Sequence, residues 1–302
     1  MDFDLSDEQK MLAEQARVLK DMVAKLPGDS EITVACFDQD VVAVYEGKAS
    51  GFGQKEVSTI VARGALGASN FEGALAWAGT EAKKKKADRV VWVTDGVATA
   101  GETDGQKMKA KVEALREAGV TRMDAIAMGG IRDDGFLRTV VRGVLDKDGV
   151  VLDAKVGADA LARRLGEMTS SGIPVKVEGA KWSYPQQLDG LQAGDEVLVF
   201  AEMDGSAPVK VTVGNQPFAP DLRTIERPLV ERAWAQAKIQ SLIEQPRENA
   251  AATKTEIVHL STSHRVLSPY TALLVLETDW DYRRFNIDRT AKVDILTVED
   301  GK

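Results

Sequence analysis

The sequence predicts an α/β protein with two domains. Residues 1–165 are expected to form a doubly wound, mostly parallel sheet, and residues 166–302 a smaller antiparallel β-sandwich with one helix. Three observations carry this prediction. Helical and strand patterns alternate with short loops up to about residue 165. A continuous apolar run at residues 89–94 is typical of a central strand buried on both faces. Beyond residue 170, strand patterns follow one another without helices between them.

The first domain begins with apolar residues at helical spacing over residues 8–26, ended by Pro27 and Gly28. Two strand patterns separated by three turn residues then indicate a hairpin. We expect the strands near Ile32, Val90 and Met123 to be neighbours in one sheet, with the second hairpin strand at its edge. The predicted helices are at residues 8–26, 55–62, 70–81, 105–118 and 133–141, and the strands at residues 32–37, 41–45, 89–94, 123–128 and 150–154.

The second domain is predicted from strand patterns at residues 174–178, 196–201 and 209–213 and from a helix at 229–245. Residues 271–277 and 292–298 are again extended. The segment 271–277 is too apolar to remain in water and too short to form a core alone. We therefore expect it to complete the sandwich formed by the three earlier strands.

Composition excludes several classes of partner. The chain has 302 residues and a net charge of -8, which argues against a nucleic-acid partner. No apolar stretch approaches the roughly 18–20 residues of a membrane span. The basic run at residues 83–86 is interpreted as a solvated helix end.

Catalytic motifs are also absent from the sequence. It contains no Gly-rich phosphate-binding motif and no Gly-x-Ser-x-Gly, and its two histidines, His259 and His264, both lie in the second half. A Ser-His-Asp triad in the α/β domain is thereby excluded. The histidines are expected in a loop or strand and are not favoured as zinc ligands. Cys36 lies in an apolar run and is interpreted as a buried thiol. A non-enzymatic protein is expected.

Oxygen-bearing side chains lie where the parallel strands should end. Asp95 ends the strand at 89–94, Ser69 precedes a helix, and Asp2, Asp4 and Ser6 precede the first helix. Ligands bind at the carboxyl ends of strands in such sheets, and an all-oxygen set suits Mg²⁺ or Mn²⁺. The alternatives are that Asp2, Asp4 and Ser6 only cap the first helix, that Ser69 is an ordinary cap, and that Asp95-Gly96 is merely a turn.

These elements resemble the metal-ion-dependent adhesion site of von Willebrand factor A domains. Asp2-Phe3-Asp4-Leu5-Ser6 resembles the first element, with Asp4 where the family has Ser. The loop containing Ser69 resembles the second, with Ser69 where Thr is usual, and Thr94-Asp95-Gly96 resembles the third. Leu267-Ser268-Pro269-Tyr270-Thr271 resembles the closing segment of the inter-alpha-trypsin-inhibitor heavy-chain type, in which a β-rich VIT module precedes the A domain. The chain is thus expected to be an N-terminally truncated bacterial member of the VIT/VWA type.

The resemblance implies a Rossmann-like fold and a protein-binding or adhesion function. A divalent metal held by the five site residues would accept an acidic side chain from a protein partner. Binding of the metal by this chain is expected to be weak or absent, because ordering Asp2 to Ser6 at the terminus costs roughly 1–2 kcal/mol per residue. The rival readings are a metal-free scaffold with a structural role and a metal-assisted hydrolase using Asp2 or Asp4. The resemblance implies a protein of the cell envelope or a secreted protein if an upstream signal peptide exists. The sequence itself does not determine the compartment.

Overall fold

The structure is a computed structural model, and it describes residues 7–64, 67–204, 208–224, 227–244, 250–271 and 279–284. Packing divides the chain into two compact units, Met1–Leu222 and Arg223–Lys302. The boundary predicted between residues 165 and 166 stays a prediction, because one compact unit can contain more than one domain.

The α/β part of the first unit alternates helices and strands as predicted. Its helices are α1 (Asp7–Val23), α2 (Gln54–Arg63), α3 (Phe71–Lys85), α4 (Gly105–Lys111), α5 (Glu113–Glu117), α6 (Asp134–Val141) and α7 (Ala158–Gly166). Its strands are β1 (Glu31–Phe37), β2 (Val41–Lys48), β3 (Arg89–Thr94), β4 (Arg122–Ala127) and β5 (Val151–Asp153). The helix predicted at residues 105–118 is divided into α4 and α5 at Val112.

Strands β3, β4 and β5 form a parallel sheet in that order, and β1 and β2 form an antiparallel hairpin. Apolar side chains cover the two faces of the parallel sheet. Phe71, Met108 and Leu137 from α3, α4 and α6 belong to one cluster, whereas Met22 and Leu161 from α1 and α7 belong to the other. Helices on both faces of a parallel sheet define a doubly wound α/β fold, so the predicted fold class is confirmed.

The predicted hydrogen bonding between β1 and β3 is wrong within the described residues, whereas the central position of β3 stays a prediction. Strand β3 pairs with β4 on one side, and no described strand pairs with its other edge, so β1 is not its hydrogen-bonded neighbour. All six residues of β4 are buried, whereas only Trp92 and Thr94 are buried in β3. An apolar run predicts that both faces of a strand are covered, here by helices. It does not predict which strands form hydrogen bonds with its two edges.

The rest of the first unit consists of antiparallel strands. They are β6 (Ile173–Val177), β7 (Ala180–Tyr184), β8 (Gln187–Leu188), β9 (Phe200–Met203), β10 (Val211–Val213) and β11 (Gln216–Phe218). Four form a sheet in the order β11-β10-β6-β8, and β7 pairs with β9. The strand predicted at residues 196–201 is wrong in its bounds, since it begins only at Phe200. The strand predicted at residues 271–277 to complete the sandwich lies, apart from Thr271, outside the described residues.

The second unit is helical where it is described. It contains α8 (Pro228–Glu244), α9 (Ala250–His264) and α10 (Asp279–Arg284), and Ile239, Ile257 and Leu260 form its core. The helix predicted at residues 229–245 is confirmed. The placement of His259 and His264 in a loop or strand is wrong, because both belong to α9, whose apolar residues are not concentrated on one face of the helix. The extended segment 292–298 lies outside the described residues. None of the described helices is long and apolar enough to cross a membrane.

Candidate functional site at the carboxyl edge of the parallel sheet

Asp95 follows the last residue of β3 in a tight turn. The backbone N–H of Val97 donates to Asp95 Oδ1 at 3.0 Å, and the N–H of Gly96 donates to Thr94 Oγ1 at 3.2 Å. The N–H of Asp133, just before α6, donates to the carbonyl of Asp95 at 2.9 Å. Three backbone donors therefore hold this turn, and they use only one of the two carboxylate oxygens of Asp95.

Gly96 is required at the turn for two reasons. Its φ is +78°, in the left-handed region that favours glycine. A Cβ atom at this position would lie 2.8 Å from both the carbonyl oxygen of Asp133 and Cγ of Leu137. The backbone geometry of the turn therefore requires glycine at position 96, apart from any role of Asp95 in the candidate site.

Ser69 lies in a loop that contacts the segment following Asp95. Its N–H donates to Thr99 Oγ1 at 2.7 Å, and its carbonyl accepts from the N–H groups of Thr99 at 3.2 Å and Ala100 at 3.3 Å. These bonds join the loop before α3 to the loop after β3. The backbones of two of the predicted site elements are therefore brought together at one edge of the sheet.

The capping of α3 is done by Asn70 and not by Ser69. The Asn70 side chain accepts from the N–H of Gly73 at 2.9 Å, which is the contact of an N-cap residue. The interpretation of Ser69 as an ordinary helix cap is therefore wrong. Its hydroxyl is not needed to cap the helix.

A buried ion pair is attached to the same loop by a backbone hydrogen bond. The Asp38 carboxylate, just after β1, is 2.6 Å from Nη1 of Arg63, and both side chains are largely buried. The hydrogen bond to Asp38 raises the pKa of Arg63. The carbonyl of Asp38 accepts from the N–H of Asn70 at 2.8 Å, so the pair is tied to the loop containing Ser69. Burial raises the pKa of the nearby Cys36 thiol, as expected of a structural thiol.

The other acidic residues at this edge already have partners. Asp133 caps α6 by accepting from the N–H of Phe136 at 2.8 Å. Arg132 binds Asp153 at 2.7 Å and Asp134 at 3.2 Å. The N–H of Lys155 and the guanidinium of Arg132 lower the pKa of Asp153. These carboxylates stabilise loops and are poor candidates for a ligand site.

The metal site predicted from the sequence is described only in part. Asp2, Asp4 and Ser6 lie outside the described residues. The described residues contain no cluster of three His, Cys, Asp or Glu side chains that could hold a metal. Ser69 and Asp95 are hard oxygen donors of the kind Mg²⁺ and Mn²⁺ prefer, so they fit such an ion as two members of a larger set. Sequence reasoning missed Thr99, whose only signal is its position four residues after Asp95.

No family model matches the sequence, and no curated protein matches it. Fourteen chains of solved structures resemble this chain, and the three described next do so weakly. A von Willebrand factor type A protein from Catenulispora acidiphila is 15% identical with a TM-score of 0.42, over 85% of this chain and 76% of that one. The ArnB paralog VWA2 from Sulfolobus acidocaldarius is 12% identical with a TM-score of 0.35, over 85% of this chain and 75% of that one. An aerotolerance-related membrane protein from Bacteroides fragilis is 12% identical with a TM-score of 0.34, over 51% of this chain and 86% of that one. Similarity at this level carries no argument about function.

Proposed function

We propose that this chain is a non-enzymatic protein-binding module of the von Willebrand factor A type, related to the VIT/VWA proteins. It would recognise an acidic side chain of a protein partner through Mg²⁺ or Mn²⁺. Asp2, Asp4, Ser6, Ser69 and Asp95 would hold the ion, and the partner's carboxylate would complete its coordination. The proposal combines the sequence motifs with the geometry of the two described loops.

The single observation that carries the proposal is the junction between the loops of Ser69 and Asp95. Three backbone-directed bonds join them, and Asn70 takes over the capping of α3. A serine that does not cap α3, in a loop bonded to the segment that follows a strand-terminal aspartate, suits hydroxyl-and-carboxylate ligation of a hard cation.

Ile131 offers an apolar contact for a partner near this edge. Its side chain is 84% exposed, and it lies in the loop that ends at Asp133, whose N–H is bound to the Asp95 carbonyl. Protein interfaces combine exposed apolar residues with a few fixed polar groups. In a partner-binding assay, Ile131→Asp should therefore weaken binding without changing affinity for the metal alone.

Titration of the full chain with Mn²⁺ tests the metal. We expect weak binding, with a Kd of about 10⁻⁴–10⁻³ M, since part of the ligand set lies at the terminus. Asp95→Ala should abolish it. The matched control is Asp146→Ala, because Asp146 is exposed in the segment leading to β5, at the opposite edge of the sheet.

The second candidate is a metal-free scaffold with a structural role. It is favoured by the absence of a three-acid cluster from the described residues and by the pairing of Asp134 and Asp153 with Arg132. No Mn²⁺ binding up to about ten times the expected Kd, or equal binding by the Asp95 and Asp146 variants, would overturn the metal proposal in favour of this one.

A further inference from the structure

Hydrogen bonds join the end of α7 to the loop at residues 190–195, which lies between β8 and β9. Nε2 of Gln192 donates to the carbonyl of Arg164 at 2.6 Å and to the carbonyl of Glu167 at 3.2 Å. The guanidinium of Arg164 also binds the carboxylate of Asp195 at 2.5 Å. These bonds attach the antiparallel strands to the α/β part of the first unit, and we call the contact between residues 164–167 and 190–195 the α7 seam.

Three buried polar atoms at the α7 seam form no hydrogen bond within the part of the chain that the structure describes. They are Nη2 of Arg122, Oε2 of Glu167 and Oε1 of Gln192. Arg122 is only 6% exposed and Gln192 only 5%. Nη1 of Arg122 and Nε2 of Gln192 both donate to the carbonyl of Glu167, at 2.6 and 3.2 Å, so the two nitrogens lie within about 6 Å of each other. The three atoms therefore belong to groups that converge on Glu167.

Neither Arg122 nor Gln192 can turn toward the other without losing bonds that it already makes. Nε of Arg122 donates to Oδ1 of Asp124 at 2.9 Å, and Nη1 is held by the carbonyl of Glu167. Nη2 is also 2.9 Å from that Asp124 oxygen, but it carries two N–H groups and Nε already uses the oxygen. Reversing the amide of Gln192 would place Oε1 against two carbonyl oxygens. The three atoms therefore need a hydrogen-bonding partner that is not one of these side chains.

We infer that the α7 seam binds one internal water molecule, which accepts a hydrogen bond from Arg122 and donates to Glu167 and Gln192. The chemistry of the three atoms selects water, because one donor and two acceptors match what a single water molecule can accept and donate. A cation would lie beside the charge of Arg122 and could not accept its N–H. An anion would face a carboxylate oxygen and an amide oxygen. The site lies at the amino edge of the parallel sheet, where β4 begins, and does not require the metal of the proposed function.

The water would link the two parts of the first unit. Arg122 begins β4 and Glu167 follows α7, whereas Gln192 belongs to the loop that leads to β9. The N–H of Leu191, in the same loop, donates to the carbonyl of Ser170 at 2.9 Å. Loss of the water should therefore loosen this loop, and hydrogen exchange at Leu191 should become faster.

A crystal structure of the full chain tests the assignment directly. We expect one peak of electron density at about 2.7–3.2 Å from each of the three atoms on Arg122, Glu167 and Gln192. No peak at this position, or a direct hydrogen bond between Arg122 and Gln192, would overturn the proposal. A peak with the short distances and high coordination number of a metal ion, or with the shape of an oxyanion, would overturn it as well.

A matched pair of variants tests the water in solution. Glu167→Ala removes Oε2 but leaves the backbone carbonyl that Arg122 and Gln192 bind. It also removes an ion pair with Arg163, which is 2.7 Å from the other carboxylate oxygen and largely exposed. Arg163→Ala is the control, since it removes the same ion pair and leaves Oε2 in place. Water relaxation dispersion by NMR should show a residence time shortened by about tenfold in Glu167→Ala and unchanged in Arg163→Ala.

A second variant removes the amide that faces the water. Gln192→Leu should lose one long-lived water from the same NMR measurement and should speed hydrogen exchange at Leu191 by about tenfold. If Gln192→Leu fails to fold, the Glu167 and Arg163 variants still decide, because both side chains are partly exposed and their replacement leaves the bonds of Gln192 intact. Equal water residence times in Glu167→Ala and Arg163→Ala would overturn the proposal.

Discussion

The backbone N–H of Ser69 donates to the hydroxyl of Thr99 at 2.7 Å and thereby joins the loop before α3 to the loop after β3. No pattern in the sequence predicts this bond, since the two residues are separated by a helix and a strand. It is the described contact on which the geometry of the candidate site most directly depends.

Replacing Thr99 by Val should loosen the junction of the two loops. The change removes the acceptor of the Ser69 N–H, so we expect the free energy of unfolding to fall by about 1 kcal/mol and Mn²⁺ binding to weaken. Thr80→Val is the matched control, because the Thr80 hydroxyl binds only a carbonyl of its own helix. Urea denaturation measures both, and an equal effect of the two changes would contradict the role given to Thr99.

Gly96→Ala should destabilise the turn at Asp95 by about 1–3 kcal/mol, because φ is +78° and the added Cβ would clash with Asp133 and Leu137. Gly130→Ala is the control in a nearby loop, since no atom lies within 4 Å of a Cβ added there. Thermal denaturation of the two variants gives the comparison. A Gly96→Ala protein as stable as Gly130→Ala would show that the turn can adjust its backbone.

Asp124 holds the opposite edge of the sheet together. Its carboxylate is fully buried and accepts from Nε of Arg89 at 2.9 Å, Nε of Arg122 at 2.9 Å and the N–H of Val150 at 2.9 Å. Asp124→Asn leaves the cationic partners uncompensated, and we expect a loss of about 3 kcal/mol or more. Asp146→Asn, an exposed change in the same region, should alter stability by less than about 0.5 kcal/mol.

Asp153 should make part of the stability depend on pH. The Lys155 N–H and the Arg132 guanidinium lower its pKa in the folded protein. A carboxyl whose pKa is lower when folded stabilises the protein above its unfolded pKa, about 4, and that contribution is lost as the pH falls through the folded value. Unfolding in urea between pH 7 and pH 3 should therefore show a smaller acid-dependent loss for Asp153→Asn than for the unaltered chain. Identical pH profiles would contradict the assignment.

Local patterns in the sequence were sufficient for most of the α/β part. The helical spacing before Pro27, the short turn between β1 and β2 and the apolar run of β4 each depend on neighbouring residues, and each corresponds to the observed element. Asp95-Gly96 at the end of β3 was also recognisable, because a strand followed by a tight turn has a local signature.

The tertiary structure alone decided the features that depend on distant residues. Nothing in its own sequence shows which strand forms hydrogen bonds with β3, since backbone pairing depends on which other strand is present while an apolar run reports only side-chain burial. The choice of Asn70 over Ser69 as the cap of α3 required the geometry of the loop, and Thr99 acquired its role only because folding placed it beside Ser69. The sequence determined which residues favour helix, strand and turn; the packed structure determined which strands pair and which side chains cap or join the loops, because those contacts form between residues far apart in the chain.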